Sequence, residues 1–485
     1  MLVKEDIVRL FAAHFPFEPN AGQWCLMEAF SDFILRFREP VAFVLKGYAG
    51  TGKTSMVSAL IKTLPLLKIQ TVLLAPTGRA AKVLSNYSGL SAYTIHKQIY
   101  YSQRDENGIL RVQLRKNVAK NTLFVVDEAS MLGIESRLLV DLFSFVSSGF
   151  QCRLLLLGDS AQLPPVGSAY SPALDLDFLR SNFSFDFMEM ELSEVLRQGL
   201  SSLVLKNATI LRNRISSQKF SLPLFKLNSH KEKEDIESGS FVQNTDLKRI
   251  NGENLEDLLQ SSYSRLKREE VVFITRSNKR ANLFNQQIRA QIFGMEGELA
   301  AGDLLMILKN NYYWVPKTST VGFLANGDMI EVLKVKGRKD LYGFHFADIE
   351  ARLLDYPEEP SIEVKIILET LHIDGPALPY TAGQALFSAV LEDYADLPTR
   401  SLRMAAAKEN PYYNALQVKY GYALTCHKTQ GGQWPCVFID QGYFTDEMAS
   451  IEYLRWLYTA LTRCMSNCYL LGFSDQFFEQ TNEAY

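Results

Sequence analysis

The chain has 485 residues, 47% hydrophobic and 22% charged, with a net charge of −3. That is ordinary globular material with apolar side chain enough for two to four structural units, and it carries no global basic signature of nucleic-acid binding. No apolar run approaches the ~20 residues that span a bilayer, so no membrane partner is expected, and positive charge for any nucleic-acid partner has to be local to a channel. The N-terminal Met1-Leu-Val-Lys-Glu-Asp6 lacks a basic segment followed by an apolar one, so no secretory signal is expected. The cysteines Cys25, Cys152, Cys426, Cys436, Cys464 and Cys468 are scattered. No second ligand pair joins Cys464 and Cys468, near a predicted helix end, so they read as small buried side chains rather than a zinc site. A reduced, cytoplasmic protein fits.

Apolar runs at 41–45, 71–75, 123–126 and 153–157 alternate with helical patterns at 55–64 and 134–146. This alternation predicts βαβ units and a parallel sheet, with ligands at the carboxyl ends of the strands. At about 97–121 the pattern breaks. Gln98-Ile-Tyr-Tyr-Ser, an Asn107-Gly108 turn and the run 109–114 predict a hairpin. The polar stretch 228–251 reads as a solvated loop. A second α/β region opens with a strand at 271–275 and a helix at 279–293. Strand-like runs at 304–308, 327–333 and 362–368 interrupt it and predict a small β-barrel insertion. The α/β pattern resumes at Tyr422, with strands at 436–440 and 468–473 around a helix at 450–463. The expected division is 1–195 for the first α/β domain, 196–301 with 414–485 for the second, and 302–413 for the insertion.

Gly47-Tyr-Ala-Gly50-Thr51-Gly52-Lys53-Thr54 follows an apolar strand and opens a helix. Its glycines let backbone N–H groups through Ser55 face phosphates, and the helix start adds partial positive charge. Lys53 is expected to reach the β- and γ-phosphates of ATP, and Thr54 to ligate Mg²⁺. Val125-Val126-Asp127-Glu128 ends another apolar strand. Asp127 would hold the Mg²⁺ shell and Glu128 would act as general base on water. These two motifs specify a P-loop NTPase and no more.

Further strings narrow the choice. Leu157-Gly-Asp-Ser-Ala-Gln162-Leu-Pro164-Pro-Val166, Leu192-Ser-Glu-Val-Leu-Arg197-Gln198, Ala423-Leu-Thr425-Cys-His427-Lys428-Thr429-Gln430-Gly431 and Tyr458-Thr-Ala-Leu-Thr-Arg463 follow in order. With them the chain resembles superfamily 1, class B helicases of the RecD, Dda and Pif type over nearly its whole length. The resemblance implies two RecA-like P-loop domains, with a β-hairpin insertion in the first and an SH3-like β-barrel insertion in the second. It implies that Gln162 senses the γ-phosphate, that Arg197 and Arg463 reach ATP from the second domain, and that Gln430 and Gly431 touch nucleotide. Gln23 resembles an adenine-reading glutamine, and also reads as an ordinary helix-start residue. Thr77, Gly78, Arg79, Thr94, His96, Pro164, Thr275, Asn278, Thr425, His427 and Lys428 fall in strings resembling the family's DNA contacts. Thr77 and Thr94 read equally as N-caps. Thr429 stands where the family usually has Ser, which keeps the hydroxyl.

The resemblance further implies 5′-to-3′ movement on single-stranded DNA, opening of duplex junctions, and a place in DNA repair or recombination. The hairpin is the candidate wedge, where Tyr100 or Tyr101 either stacks on a base or packs the hairpin. The chain reads as short for the family, with no N-terminal extension or nuclease motif, and so as weakly processive. It is expected to be monomeric, with protein partners left open. An RNA or nucleoprotein remodelling motor on the same chassis is the alternative. A small-molecule P-loop enzyme would need no second half bearing Arg463, and a weakly hydrolysing regulatory subunit would not need Lys53, Glu128 and Arg463 intact.

Overall fold

The computed structural model describes residues 3–36, 40–104, 110–135, 137–194, 202–227, 246–315, 319 and 321–479. The first α/β domain is built on β1 (Val41–Gly47), β2 (Gln70–Ala75) and β3 (Ala92–Thr94). The hairpin strands β4 (Tyr100–Arg104) and β5 (Leu110–Leu114) follow, then β6 (Thr122–Val126), β7 (Arg153–Gly158) and β8 (Asp186–Leu192). Six of these form one parallel sheet in the order β3-β2-β6-β7-β1-β8, with β4–β5 as a separate antiparallel pair. Helices cover both faces, so alternate residues of each strand enter different cores. Val41, Phe43 and Leu45 face the core under the helices Ala21–Leu35 and Lys53–Thr63. Ala42 and Val44 face the one under Leu138–Ser147. This is the period of two expected of a strand buried on both sides.

The second domain contains β9 (Asp246–Ile250) and β10 (Val271–Thr275), then a closed barrel. The barrel consists of β11 (Leu304–Ile307), β12 (Met329–Leu341), β13 (Phe344–Leu353), β14 (Ile362–Ile367) and β15 (Leu416–Tyr420). The chain then returns to the sheet through β16 (Ala423–Thr425), β17 (Trp434–Asp440) and β18 (Cys464–Leu471). That sheet is parallel throughout, in the order β16-β10-β17-β18-β9. The expected architecture is thus present: two parallel α/β domains, a hairpin excursion from the first and a barrel inserted in the second.

Several details differ from the sequence reading. The barrel is closed by β15, which pairs with both β11 and β14 and lies beyond the expected end at 413. Two helices, Tyr380–Glu392 and Arg400–Lys408, lie inside a stretch read as strands, and Leu386, Val390 and Ala407 pack them against Phe346 and Ile367 of the barrel. The stretch read as a solvated loop ends in the edge strand β9, which anchors through buried Leu247 and Ile250. The helix expected over 134–146 begins at Leu138. Cys464 starts β18 just past the end of the helix Ile451–Leu461. The Asn107-Gly108 turn, Arg197 and residues 228–245 lie outside the described residues. Among those described, no helix is long and apolar enough to cross a membrane, and no cluster of His, Cys, Asp and Glu has the form of a metal site.

The helix expected over 279–293 is α-helical only over Asn278–Gln287, and a π turn, Ile288–Ile292, completes it. The widened turn carries Arg289, which meets Asp303 through two bonds of 2.7 and 2.9 Å, with side chains 6% and 0% exposed. Asp303 also accepts from Ala300 N and from the Tyr422 hydroxyl. This saturated pair ties the start of the barrel to the second sheet. Removing one partner of a buried pair leaves an uncompensated charge, so Asp303→Ala is expected to cost about 3–5 kcal/mol in urea denaturation. The double change Arg289→Met with Asp303→Leu should recover most of that. A single change costing under about 1 kcal/mol, the range of exposed pairs, would show that the bridge does not anchor the barrel.

Candidate nucleotide cleft and nucleic-acid interface

β1 runs out into the loop 47–52, where Gly50 and Gly52 take φ of +79° and +82°, a region that favours glycine. The helix Lys53–Thr63 starts directly behind Gly52. Lys53 Nζ donates into the loop, to the Gly47 and Tyr48 carbonyls, and Thr51 Oγ1 donates to Tyr48 O at 2.9 Å. A side chain on Gly47 would strike the Lys53 stem at 2.9 Å. Thr54 is exposed and Ser55 partly so at the start of that helix. Gln23, 1% exposed, sits in a capping box: its Oε1 accepts from Asn20 N, and Gln23 N donates to Asn20 Oδ1. Its Nε2 is buried with no partner among the described residues.

β6 delivers Asp127 and Glu128. Asp127 accepts from the Tyr87 hydroxyl (2.8 Å) and from Glu128 N (2.9 Å). Burial first, then the neighbouring Glu128 charge, pushes its carboxyl above the usual range, with Lys53 pulling the other way. Glu128 holds φ +53°, left-handed for a non-glycine residue and worth ~1 kcal/mol of strain. Its Oε1 lies 3.5 Å from Arg463 Nη1 of the second domain. Gln162 stands between them. With its amide oriented to suit its neighbours, the nitrogen donates to Glu128 Oε2 (3.3 Å) and the oxygen accepts from Arg463 Nη2 (3.1 Å). Arg463 is 4% exposed and also donates to Thr459 O and Gly432 O.

The seam around this group is closely matched, with polar contacts beside Ala161 and Leu163, which join the apolar core of the second domain. Tyr458 donates to Asp159 Oδ2 at 2.6 Å while accepting from Ala49 N of the phosphate loop at 3.0 Å. Burial raises the Asp159 carboxyl, against the pull of Lys53 and the Tyr458 hydroxyl. Thr459 Oγ1 accepts from Leu163 N, Gln430 Nε2 donates to Leu163 O, and Arg455 donates to Ser160 O. Gly431, at φ +75°, lies so close to the first domain that a Cβ would sit 2.6 Å from Ala80 Cβ. Sequence reasoning passed over Tyr458, Thr459, Asp159 and Arg455 as seam residues, although three of the four lie inside strings it had singled out. Tyr87, the hydroxyl on Asp127, carried no signal at all.

The remaining candidates divide. Thr77 and Thr94 are both N-caps, bonding Ala80 N and Lys97 N, and Thr94 is only 3% exposed. Thr275 is fully buried, with its hydroxyl donating to Ser277 O at 3.0 Å, so that hydroxyl is not offered to a ligand. Pro164 is buried at the seam. Gly78 faces the barrel, where a Cβ would meet Asp328 Oδ1 at 2.2 Å. Arg79 stacks on Trp434, 3.9 Å from its ring. His96 packs on Tyr100 and Phe323, and burial lowers its pKa. Asn278, Thr425 and Lys428 line one cleft, with Lys428 donating to Asn326 Oδ1 at 2.6 Å, and His427 is partly buried beside them in sequence. Tyr100 donates to Asp141 at 2.6 Å and Tyr101 to Gln113 at 2.9 Å, so both are held by protein.

Comparison with known proteins agrees with this layout. Residues 20–213 match the model of an AAA domain, and residues 420–471 match that of a UvrD-like helicase C-terminal domain. An uncharacterised mimivirus protein (R530, from Acanthamoeba polyphaga mimivirus) is 24% identical over 494 residues, covering 89% of this chain and 94% of that protein. The ATP-dependent RecD2 DNA helicase of Deinococcus radiodurans is 37% identical over 123 residues, which is 25% of this chain and 16% of the helicase. The ATP-dependent DNA helicase dda of Enterobacteria phage T4 is 26% identical over 306 residues, 60% of this chain and 62% of that protein. The chain thus spans less than two thirds of either helicase. Among solved structures, a Bacteroides Pif1 helicase in complex with ADP-AlF3 and ssDNA superposes with a TM-score of 0.46 at 14% identity, covering 96% of this chain and 95% of that one. In its ordered motifs and in the matches at both ends, the chain is similar to the superfamily 1, class B helicases of the RecD, Dda and Pif type.

Proposed function

We propose that this chain is an ATP-dependent DNA helicase that moves 5′-to-3′ on single-stranded DNA and opens duplex at junctions, working as a monomer. The observation that carries the reading is Arg463, which crosses from the second domain to Glu128 and Gln162 of the first. An arginine carried by a second domain links hydrolysis to a motion between the two domains, as a motor requires. The named relatives, DNA helicases, favour DNA over RNA.

The residues suit nucleotide and metal. Lys53 folds onto carbonyls of its own loop, as an ammonium does where a phosphate would otherwise take its protons. Gln23 Nε2, buried without a partner, offers the donor an adenine edge accepts. Asp127, which follows directly on β6, and Thr54, at the start of the helix behind the phosphate loop, supply the oxygen donors that would hold Mg²⁺. When bound, the ion would neutralise charge on the β- and γ-phosphate oxygens. Glu128 Oε then takes the proton of the attacking water, Gln162 orients that water and reports the terminal phosphate, and Lys53 and Arg463 stabilise charge developing on the transferred group. Arg197, in the string before the helix Leu203–Ser216, would join them. Loss of the terminal phosphate loosens Arg463, and the seam opens.

Gly431 tests that coupling. A methyl group there meets Ala80 and forces a strained φ, so Gly431→Ala props the seam apart with both domains folded. DNA-stimulated hydrolysis should fall by about 10²-fold, as a misplacement of ~1 Å can cause, while thermal unfolding of the nucleotide-free chain changes little. Unaltered turnover would mean that seam closure is not needed for hydrolysis.

The broader reading is tested by steady-state ATP hydrolysis with single-stranded DNA, with RNA of the same sequence, and with neither. Strong stimulation by DNA is expected, with a loss of about 10³-fold or more in Arg463→Ala, the scale of an arginine finger. Hydrolysis indifferent to both polymers would overturn the motor, and preferential stimulation by RNA would shift its substrate. Duplexes with a single 5′ or 3′ tail then report direction.

A further inference from the structure

Tyr87 lies outside every motif string. It stands in the last turn of the helix Gly78–Ser88, partly buried against a core of the first domain. Its hydroxyl donates to Asp127 Oδ2 at 2.8 Å. The other carboxylate oxygen, Oδ1, accepts from Glu128 N at 2.9 Å, and Asp127 N donates to Leu74 O of β2. The backbone of Asp127 is thus fixed by the sheet, and Oδ1 by the next peptide. Among the described residues, Tyr87 is the one side chain that donates to this carboxylate. A carboxylate that serves a cation needs a set direction, and a hydrogen bond from outside the ligand set supplies it.

The same helix meets the other half of the molecule at its opposite end. Gly78 lies against Asp328 of the barrel, and Ala80 against Gly431. Arg79 stacks on Trp434 of the second domain, 3.9 Å from the ring, and Lys82 donates to Leu354 O just past β13 at 2.7 Å. From Gly78 to Tyr87 the helix rises ~14 Å. Its interior holds no proline or glycine, so it carries a displacement of one end to the other without a kink. Ala81 and Leu84 seat it on the sheet by small apolar contacts. A shift of the barrel and second domain at residues 78–82 therefore moves the Tyr87 hydroxyl relative to β6, and a hydrogen bond weakens steeply as its alignment is lost.

We infer that Tyr87 is a positioning residue: its hydroxyl holds Asp127 in the direction that Mg²⁺ requires, and the helix Gly78–Ser88 makes that hold depend on the state of the seam. A strand that parts the barrel from the start of this helix is thereby felt at the metal site, by a route separate from Gln162 and Arg463. The inference rests on the proposed reading of Asp127 as a carboxylate beside Mg²⁺ and of the chain as a DNA motor.

The test is fluorescence titration of the full chain with mant-AMPPNP, an ATP analogue that is not hydrolysed, in EDTA and across a range of Mg²⁺, with and without oligothymidylate. Tyr87→Phe keeps the ring and loses the hydroxyl. In EDTA it should bind the analogue as tightly as the parent does. With Mg²⁺ it should need about tenfold more of the ion for half the effect, the scale on which loss of an outer hydrogen bond acts. A change that only loosened packing would alter both affinities alike. In the parent, oligothymidylate should shift the Mg²⁺ midpoint, and Mg²⁺ with the analogue should change the affinity for oligothymidylate by the same factor. Tyr87→Phe should abolish both shifts. Tyr87→Leu, which also lacks the hydroxyl, stands in should the phenylalanine variant not fold. A variant with the parent's Mg²⁺ midpoint, or one that keeps the shift caused by DNA, overturns the inference alone. If the parent itself binds the analogue without regard to Mg²⁺, the metal reading fails and takes the inference with it, and if the parent does not bind oligothymidylate, the DNA reading does the same.

Discussion

The structure turns on one buried guanidinium. Arg463 sits at 4% exposure at the seam of two domains, and its neighbours Glu128, Gln162, Thr459 O and Gly432 O supply acceptors on several sides. A guanidinium can be buried there because its planar fork finds acceptors. The pairing with Glu128, at 3.5 Å, is loose, and Gln162 bridges it. A tight, fully neutralised pair would hold the seam shut and tie up the base. The looser one leaves both side chains room to take the roles proposed for them. The other seam contacts, Tyr458 to Asp159 and Ala49, Thr459 to Leu163 and Gln430 to Leu163, are hydrogen bonds worth ~1 kcal/mol each net. Ala161 and Leu163 of the first domain also join the apolar core of the second, so the seam combines a small apolar contact with these bonds.

The barrel shows the opposite design. Leu305, Ile330 and Tyr420 of the barrel share one continuous apolar core with Phe273, Phe438 and Trp456 of the second domain, and Asp303, paired with Arg289, also accepts from the Tyr422 hydroxyl, which ties the two polypeptide crossings together. Barrel and second domain therefore move as one. Toward the first domain the barrel makes smaller approaches: Lys82 to Leu354 O at 2.7 Å, Asp328 against Gly78, and the Phe323 ring against His96. Asp328 has its Oδ1 buried without a hydrogen bond, and burial with the nearby Asp355 holds its carboxyl well above the usual range. This carboxyl covers the start of the helix Gly78–Ser88, where the sequence reading looked for a DNA phosphate. A phosphate could reach that helix only after the barrel and second domain had moved off as a unit, which ties strand access to the same motion that separates Arg463 from Glu128.

The parts legible from sequence were those where local chemistry dictates local geometry. Gly50 and Gly52 at positive φ, the double-sided burial of β1, β6 and β7, and the strand ends at Asp127 and Thr425 all follow from residue type and period. What escaped was set by distant contacts. β9 is a short polar strand that forms because β18 offers it an edge, and β15 closes the barrel because β11 and β14 are both free to pair. The helices Tyr380–Glu392 and Arg400–Lys408 were hidden by their neighbourhood, since the strand-like text around them fitted a barrel. Among candidate site residues, the hydroxyls of Thr77, Thr94 and Thr275 proved to be engaged with backbone. A threonine after a strand serves as a cap or as a phosphate ligand with the same local pattern, and only the fold distinguishes them.

Charge raises the same point at the scale of the whole molecule. A net charge of −3 gives no long-range attraction to a polyanion, yet cations gather where the second domain meets the barrel and the first domain. Arg79 lies over Trp434, while Lys428 and Lys419 share a cleft in which burial lowers both pKa values. Desolvation disfavours each ammonium, and it would strengthen the attraction to a phosphate beside it, because the same low-dielectric walls act on both. Grip concentrated in this way is short-ranged. On the proposed function it would hold a strand that lies in the groove without attracting nucleic acid to the rest of the surface. For a motor that released DNA in every cycle, a few desolvated cations at a seam would serve better than a basic surface.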